Sequence, residues 1–370
     1  MAALTRVHVV GTGLIGTSIG LALSGHGVEV TLEDPSPTAM ALAADLGAGR
    51  LAGPQSPQGQ TPEPEVVVVA APPDVTSDVV VAQLAAHPRA TVTDVASVKR
   101  VIEAELLARG ADLSRYVGGH PMAGRERSGA VAARTDLFIG RPWVVVAPPA
   151  AAPGRIDQVC ALAELTGAVV TRMDAADHDA AVAAVSHVPQ VAASLVAARL
   201  LDLPTESVAL AGQGLRDVTR IAASEPALWT QILVGNARAV RDVLAGVAAD
   251  LAGVVAALDA IGDDPDSPAP GARRALASVI ADGNAGQARI PGKHGASAVT
   301  YAEVTVVVPD EPGTVGRLLV EVGEEGVNME DMRMEHEFGR PVGIVQLYVV
   351  PAAAQPLTEA LRARGWTVRD

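Results

Sequence analysis

Three glycines near the start of the chain have the spacing of a phosphate-binding loop. Gly11, Gly13 and Gly16 form a G-x-G-x-x-G sequence. It follows a short apolar strand pattern, Val7–Val10, and opens an apolar helix pattern over 14–24. In such a loop the first glycine turns the chain, the second lets a pyrophosphate approach the backbone, and the third lets the helix pack on the strand. The residues predicted to bind a dinucleotide are Gly11, Thr12, Gly13, Leu14, Ile15 and Gly16.

An acidic residue follows at the distance that this loop requires. Asp34 ends the second strand pattern, 18 residues after Gly16. A carboxylate at this position accepts hydrogen bonds from both ribose hydroxyls and repels a 2′-phosphate. The next residues, Pro35-Ser36-Pro37, include no arginine that could bind such a phosphate. The sequence therefore predicts NAD as the cofactor, with Pro72 at the end of the third strand pattern as a further cofactor contact.

A serine and a histidine follow two later strand patterns and are candidates for proton transfer. Ser97 lies in DVASVK, and His120 lies in GGHPMAG. Ligands of open α/β sheets bind at the carboxyl ends of the strands, where both residues are expected. A histidine flanked by glycines and a proline is poorly explained by core packing, so His120 is a candidate acid or base. Taken by itself, Ser97 is more simply explained as a helix N-cap.

The elements that must position these residues fall into three regions. Over 1–150, strand and helix patterns alternate, which predicts a Rossmann-type parallel sheet with helices on both faces. Over 151–297, apolar residues at helical spacing predict an all-helical domain that ends in a linker, with one strand signal left at Ala168–Thr171. Over 298–370, the order βαββαβ predicts a small ferredoxin-like domain.

Composition narrows the class of protein. The 370 residues carry a net charge of −14 and show no dense basic run, which argues against nucleic acid and anionic membranes as partners. A single cysteine, Cys160, and the lack of a signal-peptide pattern indicate a cytoplasmic protein. The apolar stretches 179–201 and 239–261 contain polar residues and are predicted to be buried helices rather than membrane spans.

No cluster of His, Asp and Glu has metal-ligand spacing, so no metal is expected. His178, in DAADHDAA, is expected to make a structural contact at a helix start or between helices.

Five motifs together resemble the prephenate dehydrogenase family, in the family's order and over about residues 5–245. They are GTGLIGTSIGLAL, DVASVK, GGHPMAGRERSG, SHVPQ and GQGLRDVTRIAASEPALW. The C-terminal sequence EVTVVVPDEPGTVGRLLVEVGEEGVNMEDM resembles an ACT domain, a regulatory module that binds amino acids.

The resemblance implies roles for three residues at the reacting centre. His120 matches the histidine that takes the proton of the substrate C4 hydroxyl. Ser97 matches the serine that orients this histidine and contacts the same hydroxyl. Arg220 matches the arginine that anchors a substrate carboxylate, a role that suits its planar, forked guanidinium. A neutral imidazole near its ordinary pKa of about 6.5 is expected to act as the base.

The resemblance also implies residues around the pocket. Arg216 and Asp217 match a cation and acid pair near the mouth, and Glu126 matches a pocket acid. Trp229 matches a wall residue supplied by the neighbouring subunit. Gln190 stands where the family often has a second histidine, and Arg125 stands where a small polar residue is common. These two differences leave both prephenate and arogenate open as substrates.

The implied activity is NAD-dependent oxidative decarboxylation of prephenate by a homodimer, with tyrosine as an effector bound near Asn328. The alternatives are an arogenate dehydrogenase, another two-domain NAD(P) dehydrogenase, and an ACT-type regulatory sensor. The last two are disfavoured by the His120, Ser97 and Arg220 set.

Overall fold

The valine-rich strands of the first region form a parallel sheet in the computed structural model, which describes residues 4–52, 62–124, 129–262, 270–291, 301–336 and 341–369. The strands are β1 (Arg6–Val10), β2 (Glu29–Glu33), β3 (Arg50–Leu51), β4 (Val66–Val69) and β5 (Thr91–Asp94). Their order is β3-β2-β1-β4-β5, and every pair is parallel. This is the order of a doubly wound nucleotide-binding sheet, so the predicted Rossmann-type fold is confirmed.

Helices cover both faces of this sheet, which is why all four valines of β4 are buried. The helices are α1 (Leu14–Gly25), α2 (Pro37–Asp45), α3 (Pro73–Ala86), α4 (Arg100–Ala108) and α5 (Pro153–Leu165). Ile19, Leu23 and Leu162 pack on one face of the sheet. Leu84 and Ile102 pack on the other face.

Three further strands form a second sheet, which contains both an antiparallel and a parallel pair. They are β6 (Gly118–Pro121), β7 (Pro142–Val146) and β8 (Val169–Met173). β7 runs antiparallel to β6 and parallel to β8. The prediction of a purely parallel series is wrong here, because the described part of the connection from β6 to β7 has no α-helix. A parallel neighbour would need such a crossover.

Helices follow as predicted, and one of them contains an irregular turn. They are α6 (Ala175–Val182), α7 (Val188–Ala198), α8 (Thr205–Val208), α9 (Gln213–Thr219), α10 (Pro226–Gly235), α11 (Ala237–Gly262) and α12 (Ala272–Gln287). A π-helical turn, Ala183–His187, joins α6 to α7 without a break. Such turns occur frequently at functional sites.

The C-terminal region has the predicted βαββαβ order. Its elements are β9 (Ala302–Pro309), α13 (Thr314–Glu324), β10 (Asp331–His336), β11 (Val342–Val349), α14 (Pro351–Ala363) and β12 (Thr367–Val368). The sheet order is β10-β11-β9-β12, and all pairs are antiparallel. Alternate residues of β9 and β11 form the core with Leu318 and Leu361. By its contacts the chain divides into the compact units 1–248 and 249–370, while the three-domain division stays a prediction.

Two helical segments are long and apolar enough to cross a membrane by length and composition, Ala175–Asp202 and Ala237–Gly262. In the first, 33% of the most apolar window is buried, so the prediction that 179–201 is a buried helix holds only in part. In the second, only 6% of the most apolar window is buried. The prediction that 239–261 is a buried helix is therefore wrong for the single chain, since this helix exposes its apolar side.

Candidate active site

The glycine loop leaves its backbone open to a ligand at one position and is tightly packed at two others. Gly11 has φ +99°, and a Cβ there would lie 2.4 Å from the carbonyl oxygen of Ala70. A Cβ on Gly16 would lie 1.9 Å from the carbonyl oxygen of Gly11. Gly13 is exposed and has nothing within 4 Å of the corresponding position. Because α1 begins directly after Gly13, and Gly13 provides no side-chain cap, the first N–H groups of the helix lie beside this open space, as a diphosphate site requires.

The carboxylate of Asp34 is held across the loop at the end of β2. Its Oδ2 accepts hydrogen bonds from the backbone nitrogen of Thr12 at 2.6 Å and from the Thr12 hydroxyl at 2.9 Å. Its Oδ1 accepts one from the Ser36 nitrogen at 2.8 Å. A carboxylate has about four acceptor positions, so Oδ1 retains one for a ribose hydroxyl. Pro72 is exposed before the start of α3, at the same sheet edge.

Beneath the turn after β5 lies a buried ion pair. Lys99 binds Asp94 through its ammonium group, and the Tyr116 hydroxyl donates to Asp94 Oδ2 at 2.6 Å. Burial lowers the pKa of Lys99, and the charge of Asp94 opposes this effect. The pair fixes the turn that carries Ser97, which is half-buried. Because α4 begins after Lys99, the interpretation of Ser97 as a helix N-cap is wrong.

His120 lies on β6 in contact with a second histidine. Its Nδ1 is 2.8 Å from Nε2 of His178, and the Nδ1 of His178 is 2.8 Å from Oδ1 of Asp179. The two rings meet edge to face, with centroids 5.1 Å apart. His178 is therefore more than the structural contact that the sequence predicted. The adjacent His-Asp pair in an alanine-rich helix was the signal available for it.

The carboxylate of Asp179 also binds the backbone at the start of α4. It accepts hydrogen bonds from the nitrogens of Lys99 at 2.9 Å and Arg100 at 3.0 Å. The side-chain nitrogen of Asn236 donates to the carbonyl oxygen of Asp179 at 2.7 Å. Asp179 thus links the turn that carries Ser97 to the ring beside His120.

Burial lowers the pKa of the His120 imidazole well below 6.5. Repulsion by His178, Lys99 and His187, when these groups carry a proton, lowers it further. The expectation of a base near its ordinary pKa is therefore wrong, because the strand places the ring away from water and beside other basic side chains.

His187 ends the π-helical turn and is also buried. Burial lowers its pKa to about 4, opposed by Asp179 and assisted by His178. The side-chain nitrogen of Asn236 lies 3.2 Å from its Nδ1. Its Nε2 has no hydrogen-bond partner among the described residues. The ring meets Trp229 of α10 edge to face, with centroids 6.1 Å apart.

The other predicted substrate residues lie on the helices that follow. Gln190 is buried one turn after His187, and its side-chain oxygen accepts a hydrogen bond from the Ser224 hydroxyl at 3.4 Å. Arg220 is exposed in a 3-10 turn, Arg220–Ala222, that packs on α7.

Arg216 and Asp217 are exposed on α9, where Asp217 accepts a hydrogen bond from the Gln213 side chain at 2.8 Å. Glu126 lies outside the described residues, and so does Arg125. In the described ranges, no group of three or more His, Cys, Asp or Glu residues is arranged to hold a metal ion.

Two family models match consecutive parts of the chain. The model for the nucleotide-binding domain of prephenate dehydrogenase matches residues 19–172. The model for the dimerization domain of prephenate dehydrogenase matches residues 174–264.

Known proteins resemble the chain over most of its length. A probable prephenate dehydrogenase, NovF, from Streptomyces niveus is 37% identical, over 97% of this chain and 98% of the relative. The prephenate dehydrogenase of Bacillus subtilis (strain 168) is 31% identical, over 62% of this chain and 64% of the relative. The crystal structure of prephenate dehydrogenase from A. aeolicus with hydroxyphenyl propionate and NAD+ shares the fold. It gives a TM-score of 0.64 at 24% identity, over 78% of this chain and 99% of that chain.

Protonation of His187 is expected to destabilise the fold at acid pH. Its pKa is lowered from 6.5 to about 4, so the unfolded chain binds the proton first as the pH falls. The free energy of unfolding should be unaffected by this ring above pH 6.5 and should decrease by up to about 3 kcal/mol as the pH falls toward 4. Urea unfolding at neutral pH and at about pH 4.5 measures this decrease.

The variant His187→Gln should lose less stability than the unchanged chain between the two pH values. The exposed His26 provides a control, since His26→Gln should lose as much as the unchanged chain. An equal loss in His187→Gln would assign the pH dependence to other groups.

Proposed function

The chain belongs to the prephenate dehydrogenase family, and we propose that it converts prephenate to 4-hydroxyphenylpyruvate and CO₂ by NAD-dependent oxidative decarboxylation. The relative at 37% identity over 97% of the chain supports the family. The observation that carries the activity is the buried His120 on β6, joined through His178 to Asp179, in a chain with a nucleotide-binding fold.

The residues of the glycine loop fit NAD. The backbone at Gly13 and the start of α1 would hold the diphosphate, and the free acceptor of Asp34 would bind the ribose. NAD+, when bound, supplies the acceptor for the hydride that leaves the substrate.

His120 takes the proton of the substrate C4 hydroxyl in this proposal. Its lowered pKa keeps the ring unprotonated near neutral pH, so it is ready to accept. The proton creates a cation in a buried site, and the carboxylate of Asp179, joined through His178, offsets that charge. Ser97 contacts the same hydroxyl from the turn after β5.

The substrate is a dianion in a protein of net charge −14, so it requires a local cation. We assign this role to Arg220, with Gln190 and Trp229 on the pocket wall. Arg216, Asp217 and Glu126 are assigned to its mouth. Arogenate is the second candidate substrate. Arogenate carries an amino group where prephenate carries a keto group, and the neutral amide of Gln190 does not discriminate between the two by charge.

We expect substitutions of His120 and Arg220 to affect different steady-state constants. The assay measures NADH formation with prephenate and, in parallel, with arogenate. His120→Asn removes the base, so kcat should fall about 10²–10⁴-fold. Arg220→Gln removes charged hydrogen bonds, so KM should rise by roughly one to two decades.

Arg109→Gln is the matched control, since Arg109 pairs with Asp78 on the surface and should leave both constants unchanged. Turnover of neither substrate by the unchanged chain would overturn the proposed activity. A normal kcat for His120→Asn would overturn the assignment of the base.

Cofactor choice is expected to depend on the charge of Asp34. The unchanged chain should prefer NAD+ strongly over NADP+ in kcat/KM, and Asp34→Asn should narrow that preference because it removes the repulsion of a 2′-phosphate. The neighbouring exposed carboxylate of Glu33 is the control, since Glu33→Gln should keep the preference. Equal use of both cofactors by the unchanged chain would contradict the role of Asp34.

We propose that α11 pairs with a second copy of the chain. Val247, Leu251, Val255 and Leu258 are about half exposed and lie on one side of this helix. Near its start, an apolar groove of about 540 Å³ opens between Val191, Leu233, Val240 and Leu244. The match of residues 174–264 to a dimerization domain supports a second copy of the chain as the partner of this surface.

Light scattering at micromolar concentration is expected to give the mass of a dimer, twice 37.6 kDa. Leu251→Glu should shift the mass toward the monomer, because it places a charge in the apolar contact. Leu107→Glu, at an equally exposed leucine on α4, should not. A monomer in the unchanged chain would contradict the proposal.

The C-terminal βαββαβ unit is proposed to be an ACT domain that binds tyrosine. Asn328 follows α13 and is exposed, and its side-chain nitrogen donates to Glu330 Oε1 at 2.9 Å. We assign the contact with tyrosine to this amide.

Tyrosine is expected to inhibit the unchanged chain. Asn328→Ala should weaken inhibition without changing kcat, and deletion of residues 298–370 should abolish it. Gln355→Ala, on the exposed side of α14, is the control. Inhibition that survives the deletion would place the effector site elsewhere.

A further inference from the structure

We propose that His178 is a positioning residue that fixes the tautomer of His120, so that the ring nitrogen facing the substrate is the one that accepts the proton. The inference rests on the proposed function, in which His120 is the base. It concerns a residue to which the family resemblance assigned no role.

The hydrogen-bond chain has one assignment in which each contact has a donor and an acceptor and neither ring is charged. The ionised Asp179 can only accept, so Nδ1 of His178 carries a hydrogen. The Nε2 of a neutral His178 then bears a lone pair and accepts from Nδ1 of His120. His120 is left with a hydrogen on Nδ1 and a lone pair on Nε2. That lone pair is the base.

The series of hydrogen bonds from His120 through His178 is anchored at Asp179. Asp179 Oδ1 also accepts from the nitrogen of Lys99, and Oδ2 accepts from that of Arg100. The side chain of His178 is fully buried between Asp179 and His120. The ring of His178 therefore cannot turn without breaking hydrogen bonds that no water replaces, which costs about 1–3 kcal/mol for each buried group left unpaired.

The opposite tautomer would disable the base. With the hydrogen on Nε2, the lone pair of His120 would point at His178 instead of the substrate. When the correct tautomer takes a proton, its Nδ1 hydrogen bond becomes charge-assisted and strengthens. The groups that face His120 are His178 from α6, Lys99 from the turn before α4, and His187 from the π-helical turn. Of these, His178 is the one within hydrogen-bond distance.

Two amide substitutions separate this role from packing. Glutamine at 178 can place its oxygen where Nε2 of histidine lies, so it can still accept from His120. Asparagine at 178 reaches only the position of Nδ1, so it keeps the contact with Asp179 and loses the one with His120. In the full-length protein, His178→Asn should lower kcat about 10²–10⁴-fold with little change in KM, as expected when a base is held in the wrong tautomer. His178→Gln should stay within about tenfold of the unchanged chain.

A purely structural role predicts the reverse order, because asparagine preserves the bond to Asp179 that anchors α6 to α4. Equal kcat values for His178→Asn and the unchanged chain, or a larger loss in His178→Gln, would overturn the proposal.

A spectroscopic measurement reports the tautomer of His120 directly and does not depend on enzyme activity. Nitrogen-15 NMR of the histidine-labelled full-length chain should show His120 protonated on Nδ1, with signals assigned by their loss in His120→Asn. In His178→Asn these signals should shift toward the Nε2-protonated form. Protonation on Nε2 in the unchanged chain would overturn the proposal. If the chain turned over neither substrate, the proposed activity would fail, while the tautomer measurement would still decide the role of His178.

Discussion

The active site depends on one buried carboxylate, that of Asp179. It binds the ring of His178 and two backbone nitrogens at the start of α4, and its own carbonyl is bound by Asn236. A buried carboxylate is stable only when its oxygens are satisfied by donors. Meeting that requirement here brings α6 and the turn after β5 together, and the hydrogen bond from Asn236 to the backbone carbonyl of Asp179 attaches the end of α10 to them. The same requirement therefore holds the turn that carries Ser97 beside the ring that contacts His120.

A second buried carboxylate sets the electrostatics of the same region. Asp94 neutralises Lys99, and both are almost completely buried. Gly119 allows β6 to approach this pair, since a Cβ there would lie 2.7 Å from the carbonyl oxygen of Asp94. His120 is thereby placed beside Lys99 and away from water, and burial is the main reason that its pKa is lowered. The glycines beside the histidine thus act through packing, and the result is a buried imidazole with a lowered pKa.

The helical region contributes groups that the sheet domain lacks. The π-helical turn places His187 against Trp229 and Asn236, and the next turn of the same helix carries Gln190. The apolar side of α11 stays exposed in the single chain, which is the physical basis for expecting a second copy. Buried polar contacts thus build the site, while exposed apolar residues point to assembly.

Local sequence determined the glycine loop, Asp34, the alternating strands and helices of the first region and the βαββαβ unit, because turns, strand ends and periodicity are properties of short segments. It also identified His120 through its flanking glycines. The strand order within the first sheet came from the structure. Only the tertiary structure decided that β7 runs antiparallel, that α11 is exposed, that the pKa of His120 is lowered, and that His178 is its partner. Each of these depends on contacts between residues far apart in the chain, such as the 58 positions between His120 and His178. Burial and charge at a side chain are set by what packs around it, and short-range patterns do not contain that information.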